Sequence, residues 1–255
     1  MEKIMKIDPR RCVLSGVALA VTVGVLLLEP IPQDRAYHAF ADRRGLFGIA
    51  NLFDVFSNLP FLVVGFSGLY RLAARRLQFD RELRWAVLLF FLGVTLTAFG
   101  SAFYHLQPNN ATLVWDRLPM TLAFMGLFAL VLGEYVSIDL GRRLLWPLLA
   151  VGISSVLWWR YTEQLGQGDL RLYGLVQFLP MLLLPLVLLL YPSRWSRSTD
   201  YWIAGGWYLV AKLLEFCDRP VFDLSAVVSG HTLKHLAAAM AAWQLLRMLG
   251  KRARR

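Results

Sequence analysis

The feature that most limits what this chain can become is a succession of apolar stretches, each about as long as a bilayer is thick, separated by short polar links. About 20 apolar residues in helical form cross the hydrocarbon core, and within lipid only helices and closed barrels satisfy their own backbone hydrogen bonds. Hydropathy gives eight candidate spans, at residues 12–29, 50–72, 84–106, 117–137, 143–160, 172–191, 200–217 and 228–248. The expected fold is therefore all-α, a polytopic transmembrane helical bundle. With 57% hydrophobic and 17% charged residues, a soluble domain of this size could not hide its apolar surface in one core. Pro60, Pro119, Pro147 and Pro180 fall in or near spans, where neighbours can satisfy freed backbone groups. The opening residues resemble a signal peptide, but the apolar run continues to Glu29-Pro30 without a small-residue cleavage site, so an uncleaved first span is expected.

The net charge of +10 does not point to nucleic acid, because the basic residues sit at the ends of apolar runs and not on one interleaved basic and aromatic surface. They read as orientation signals. Eight spans put both termini on one side, and the loops of that side hold most of the Lys and Arg. The opposite loops hold few, namely Arg35, Arg43, Arg44, Arg117, Arg160, Arg171 and Arg219. The positive-inside rule then makes both termini cytoplasmic. The basic tail from Arg247 to Arg255 fits that role and could touch anionic lipid. Trp158, Trp159, Tyr161, Tyr201 and Trp202, near span ends, read as an interfacial belt. Cys12 and Cys217 have no metal or redox spacing.

This topology brings the end of the third span and the starts of the fourth and eighth to one side, and polar residues gather there. Span eight begins Ser229-Gly230-His231-Thr232-Leu233-Lys234-His235, and histidines four apart on a helix point the same way. Span three ends Ser101-Ala102-Phe103-Tyr104-His105, aligning Ser101 with His105. Asp116 follows at the mouth of span four, in Trp115-Asp116-Arg117-Leu118-Pro119. Ionisable groups within spans are costly and are functional suspects for that reason. Three neutral imidazoles, His105, His231 and His235, make an open zinc site with one position left for water. Asp116 is then a candidate general base. Ser101 would stabilise an oxyanion or hold a water. The competing readings are a packing network of hydrogen bonds and haem ligation, which leaves Asp116 and Ser101 unexplained. Lys212 and Glu215, three apart, can pair, and Lys234 can meet Glu215 or Asp218 in a structural ion-pair network.

The pattern Ser-x-x-x-His, Asp eleven residues on, and a late His-x-x-x-His resembles the alkaline ceramidase family, as a prokaryotic-type member. The family lies within the membrane-hydrolase superfamily that includes the adiponectin and progestin receptors. Asn51-Leu52-Phe53-Asp54-Val55-Phe56-Ser57-Asn58-Leu59 is similar to that family's first core helix. The resemblance implies zinc on His105, His231 and His235, with Asp116 assisting the attacking water and Ser101 stabilising the transition state. It also implies hydrolysis of a lipid amide such as ceramide or a related N-acyl amine. The seven family helices would be spans two to eight, within residues 37–248. Residues 1–36 would carry the additional first helix, and 249–255 a basic tail. Eukaryotic ceramidases have an acidic calcium cluster before that first helix. Here Tyr37-His38-Ala39-Phe40-Ala41-Asp42 offers one carboxylate, and Asn51 stands where a glutamate would be expected. Calcium takes six to eight oxygens, which argues against a calcium site. Tyr37, His38 and Asp42 fit a lid over the site or, more simply, a solvated loop.

The expected activity is thus a zinc-dependent amidohydrolase acting on linear amides within the bilayer, with no nucleic-acid partner. The alternatives are a lipid-binding receptor or sensor with a structural zinc site, and a non-catalytic scaffold or transporter. Short loops and compact size suggest a bacterial inner membrane, with the metal site toward the periplasm.

Overall fold

The computed structural model describes residues 8–255, so the lysines among residues 1–7 that enter the orientation reading lie outside it. Among the described residues there are helices and no strand: α1 (Pro9–Leu26), α2 (Leu52–Phe56), α3 (Leu59–Ala73), α4 (Arg84–Leu106), α5 (Asn110–Val131), α6 (Ile138–Gln164), α7 (Arg171–Leu190), α8 (Thr199–Phe216), α9 (Asp218–Ser225) and α10 (Gly230–Lys251). Six helical segments of the described residues are long and apolar enough to cross a membrane: Pro9–Leu26, Leu52–Ala73, Arg81–Leu106, Asn110–Val136, Ile138–Gln164 and Arg171–Leu190. The seventh and eighth expected spans are helices too, α8 of 18 residues and α10 of 22. They are more polar, and part of that polarity turns inward, since Asp200, His231, His235 and Gln244 are buried.

Two boundaries differ from the hydropathy reading for identifiable local reasons. α5 starts at Asn110, not near 117, because Asn109 caps it. The Asn109 side chain accepts from the Ala111 and Thr112 amides, and the Thr112 hydroxyl accepts from the Asn109 amide. Asp116 and Arg117 consequently lie well inside the helix, not at its mouth, and Arg117 is buried instead of belonging to a charged loop. The span expected at 50–72 is interrupted at Ser57-Asn58. Pro60 in the first turn of α3 has no N–H to continue the ladder, and Ser57 Oγ and Asn58 Nδ2 instead donate to the Asp54 carbonyl, at 3.0 and 2.8 Å.

α4 packs between α3 and α5 and approaches both closely through glycine. A methyl group on Gly93 would strike Ala123, one on Gly126 would strike Phe90 and Ala86, and one on Gly65 would strike Thr95. Without a strong hydrophobic drive between helices in lipid, such small-residue contacts let backbones meet and gain dispersion energy. α1 packs against α7 and is tied at both ends. Tyr191 Oη donates to Asp8 (3.3 Å) at one end, and Arg171 Nη1 donates to the Leu26 carbonyl (3.0 Å) at the other.

The end of the bundle holding the α5–α6 turn is closed by the C-terminal tail. Arg252 is buried and pairs with the equally buried Glu134, in the π-helical turn Leu132–Val136. Arg252 also donates to the Gln78 carbonyl (2.6 Å), and Tyr201 donates to Glu134 (2.7 Å). Part of the basic tail is therefore an internal clasp and not a lipid-facing segment. The aromatic belt divides likewise: Trp158, Tyr161 and Trp202 are exposed, whereas Trp159 and Tyr201 are buried.

Candidate metal centre and its cavity

At the other end of the bundle the last turn of α4 meets the first turns of α10. His105, His231 and His235 are all buried, and one ring nitrogen from each lies within 4.8 Å of the others. The Nε2 atoms of His105 and His231 are 3.3 Å apart. Two imidazoles on a tetrahedral zinc at the usual bond length of about 2.0–2.1 Å have nitrogens separated by about 3.3 Å. The His105–His231 pair has that spacing, and the three-histidine donor set is consistent with zinc in its chemistry.

A neighbouring residue fixes which nitrogen His235 presents, and the backbones of the other two are held in place. His235 Nδ1 is 2.7 Å from Ser57 Oγ, whose single proton is directed to the Asp54 carbonyl. Nδ1 must then carry the hydrogen and donate it to Ser57, which leaves the Nε2 lone pair facing the cluster. His231 is held through its backbone, where the amide donates to Asp218 Oδ1 (2.8 Å). Gly230 allows this, because a methyl there would collide with the Leu214 carbonyl. The Asn51 side chain donates to the His105 carbonyl (2.8 Å). His105 Nδ1 has no partner among the described residues.

Ser101 and Asp116, both buried, adjoin one another across the α4–α5 contact. Together with His235 they line one end of a cavity of about 800 Å³. Its remainder runs between α5, α7, α8 and α10 along apolar walls such as Phe124, Met181 and Leu184. The polar end also receives Lys212, Glu215 and Lys234. Lys212 pairs with Glu215 as their spacing suggested, at 2.5 Å, and of its two expected partners Lys234 takes Glu215, at 2.6 Å.

The stretch 37–42 is not a solvated loop. Phe40 is buried against the rings of His105 and His231, with centroids 4.7 and 4.5 Å away. His38 bridges Tyr104 Oη (2.9 Å) and Asn110 Oδ1 (2.8 Å), and Tyr37 Oη donates to Glu215 (3.3 Å). The segment roofs the histidines. Asp42 is bound by Arg44 at 2.7 and 2.8 Å. Burial alone would raise its pKa, but the Arg44 hydrogen bonds and charge outweigh that and hold it below the usual carboxylate range.

Four contributors do not stand out in the sequence as site residues: Ser57, Asp54, Phe40 and Arg117. For the first two a signal existed, since Asp54, Ser57 and Asn58 are polar residues at helical spacing in an otherwise apolar stretch. Asp54 is buried, accepts from Thr232 Oγ1 (2.7 Å), and leaves Oδ2 without a partner. Comparisons with protein-family models, with curated proteins and with solved structures find no match to this chain.

Proposed function

We propose that this protein is a zinc-dependent integral membrane amidohydrolase of the alkaline ceramidase type, cleaving the amide bond of a lipid such as ceramide or a related N-acyl amine. One observation carries this reading: three histidines converge, and one of them, His235, lines the polar end of a long apolar cavity together with Ser101 and Asp116. A packing network would need no such cavity, and haem ligation would give Asp116 no task.

In this reading His105, His231 and His235 hold the ion. Bound zinc supplies a Lewis acid that makes water more acidic and polarises a carbonyl. The apolar walls take the acyl chain and present the amide to Ser101 and Asp116. Asp116 accepts a proton from the attacking water as its oxygen bonds to the carbonyl carbon. Asp116 then returns that proton to nitrogen as the C–N bond breaks, giving a fatty acid and an amine. The Ser101 hydroxyl donates to the developing oxyanion, and Phe40 keeps bulk water off the rings. Helices α2 through α10 would form the seven-span core, with α1 added. Both termini would be cytoplasmic, with the site toward the periplasm of a bacterial inner membrane.

The test is zinc content and hydrolysis on the purified chain. About one equivalent of zinc, lost in His231→Ala, is expected, together with release of fatty acid from a lipid amide. Asp116→Ala should abolish release while zinc stays near the wild-type level. Zinc retention without hydrolysis of any lipid amide would favour a lipid receptor. No zinc would remove both.

A further inference from the structure

Arg117 is a buried cation that the reaction above does not use. Its side chain forms no salt bridge among the described residues. Nη2 donates to Gln33 Oε1 (2.6 Å), and Nη1 has no partner among the described residues. The guanidinium lies 4.2 Å from the ring centre of Trp159, 4.7 Å from Tyr173 and 5.8 Å from Tyr37. These rings offset part of the cost of removing the charge from water. They supply no acceptor in the guanidinium plane, and a buried charged donor left unpaired is strongly unfavourable.

Arg117 also lines the cavity, next to Asp116 on α5. The charged residues on that cavity are Asp116, Arg117, Lys212, Glu215 and Lys234. Glu215 is shared by the two lysines, so the polar end holds three cations against two carboxylates before any metal is bound. Of these three cations only Arg117 forms no salt bridge among the described residues, and its Nη1 is left unpaired. A planar guanidinium with a free edge matches a carboxylate or a phosphate, which it binds through short, charge-assisted hydrogen bonds.

We infer that the ligand of this cavity is a lipid amide whose polar end carries an anionic group, a carboxylate or a phosphate, seated on Arg117. This rests on the hydrolase reading for the amide and on Arg117 alone for the anion. The apolar walls would hold the acyl chain, Asp116 would face the amide, and Arg117 would select the head group. Trp159, Tyr173 and Gln33 would act as positioning residues that hold the guanidinium flat against the cavity.

The experiment uses the full chain in detergent with four lipids of one acyl chain length. An N-acyl amino acid tests the carboxylate, a phosphorylated ceramide tests the phosphate, and neutral ceramide and an N-acyl ethanolamine are the neutral arms. Wild-type kcat/KM should favour at least one anionic amide over both neutral ones by tenfold or more. Arg117→Gln should shrink that preference at least tenfold, and Arg117→Lys should restore part of it, with zinc content confirming that each variant folds. Neutral amides cleaved as well as anionic ones, or equal losses on both classes in Arg117→Gln, would overturn the inference. Native mass spectrometry of the same lipids on wild type and Arg117→Gln separates the two proposals. Arg117-dependent retention of anionic lipid without cleavage would sink the hydrolase reading and keep the anion site. Equal retention of anionic and neutral lipids would sink the anion site.

Discussion

Gly100 presents its bare Cα to the Trp115 carbonyl oxygen, leaving no room for a methyl group between α4 and α5. Ser101 and Asp116 are the next residues on each helix, so this single close approach sets the distance between the serine and the carboxyl group. Helix packing and site geometry are coupled through one missing side chain.

Gly100→Val should therefore separate the two helices. Forcing bulk into a close-packed contact costs about 1–3 kcal/mol, so the melting temperature in detergent should fall, and lipid-amide hydrolysis with it. Gly16 of α1 has open space around it. Gly16→Ala should cost nothing and by helix propensity could add up to about 1 kcal/mol. Equal melting of the two variants would show that the α4–α5 approach carries no such constraint.

Ser57 sets the tautomer of His235 through the 2.7 Å contact at Nδ1. Loss of an outer hydrogen bond to a ligating histidine typically weakens metal binding about 10–100-fold. Ser57→Ala should show a loss of that size in zinc competition against a chelator. Ser101→Ala should show little, because Ser101 adjoins Asp116 and not a ring nitrogen. Wild-type zinc affinity in Ser57→Ala would mean that the ring is oriented by packing alone.

Arg252 and Glu134 are each about 1% exposed at the side chain. Removing one partner of such a pair leaves an uncompensated buried charge and costs about 3–5 kcal/mol, whereas replacing both with groups of similar volume is often near neutral. Arg252→Met should destabilise strongly, and Arg252→Met combined with Glu134→Gln should recover much of the loss. A double-mutant cycle by thermal or denaturant unfolding measures this, and additive losses would contradict the clasp. The centre lies at the opposite end of the bundle, so zinc affinity of the folded double variant should stay near wild type.

The helical bundle was legible from residue order because apolar runs of span length report directly on burial in lipid, and the three histidines because spacing on α10 and topology converge on them. What was not legible depends on where short segments pack. Phe40 looks like one residue of a loop, and only its placement over His105 and His231 makes it a roof. Arg117 reads as a loop residue in hydropathy because the turn that Asn109 caps, which starts α5 early, is more polar than the run that follows. Trp159 and Tyr201 carry the composition of a membrane interface, yet one stacks on Arg117 and the other donates to Glu134. Amphipathic aromatic residues serve both purposes, and the partner decides which.

The last expectation concerns pH and the anchoring of α1. Arg171 donates to Asp169 at 2.9 Å through both Nε and Nη2, and also to the carbonyl of Leu26, the last residue of α1. These hydrogen bonds outweigh the opposing effect of burial and pull the Asp169 carboxyl down to about 2. A carboxylate depressed in the folded state contributes stability that is fully present above its unfolded pKa of about 3.9. That stability drains as pH falls through the folded value, because the unfolded chain takes up the proton first. Wild type should accordingly melt higher than Asp169→Asn at neutral pH. The gap should hold down to about pH 4 and narrow toward pH 2. Other carboxylates titrate alike in both proteins, so the difference isolates this one. A gap that stays constant down to pH 2, or none at pH 7, would mean that the Asp169–Arg171 pair does not hold α1 to α7, and the additional helix would then rest on lipid contacts alone.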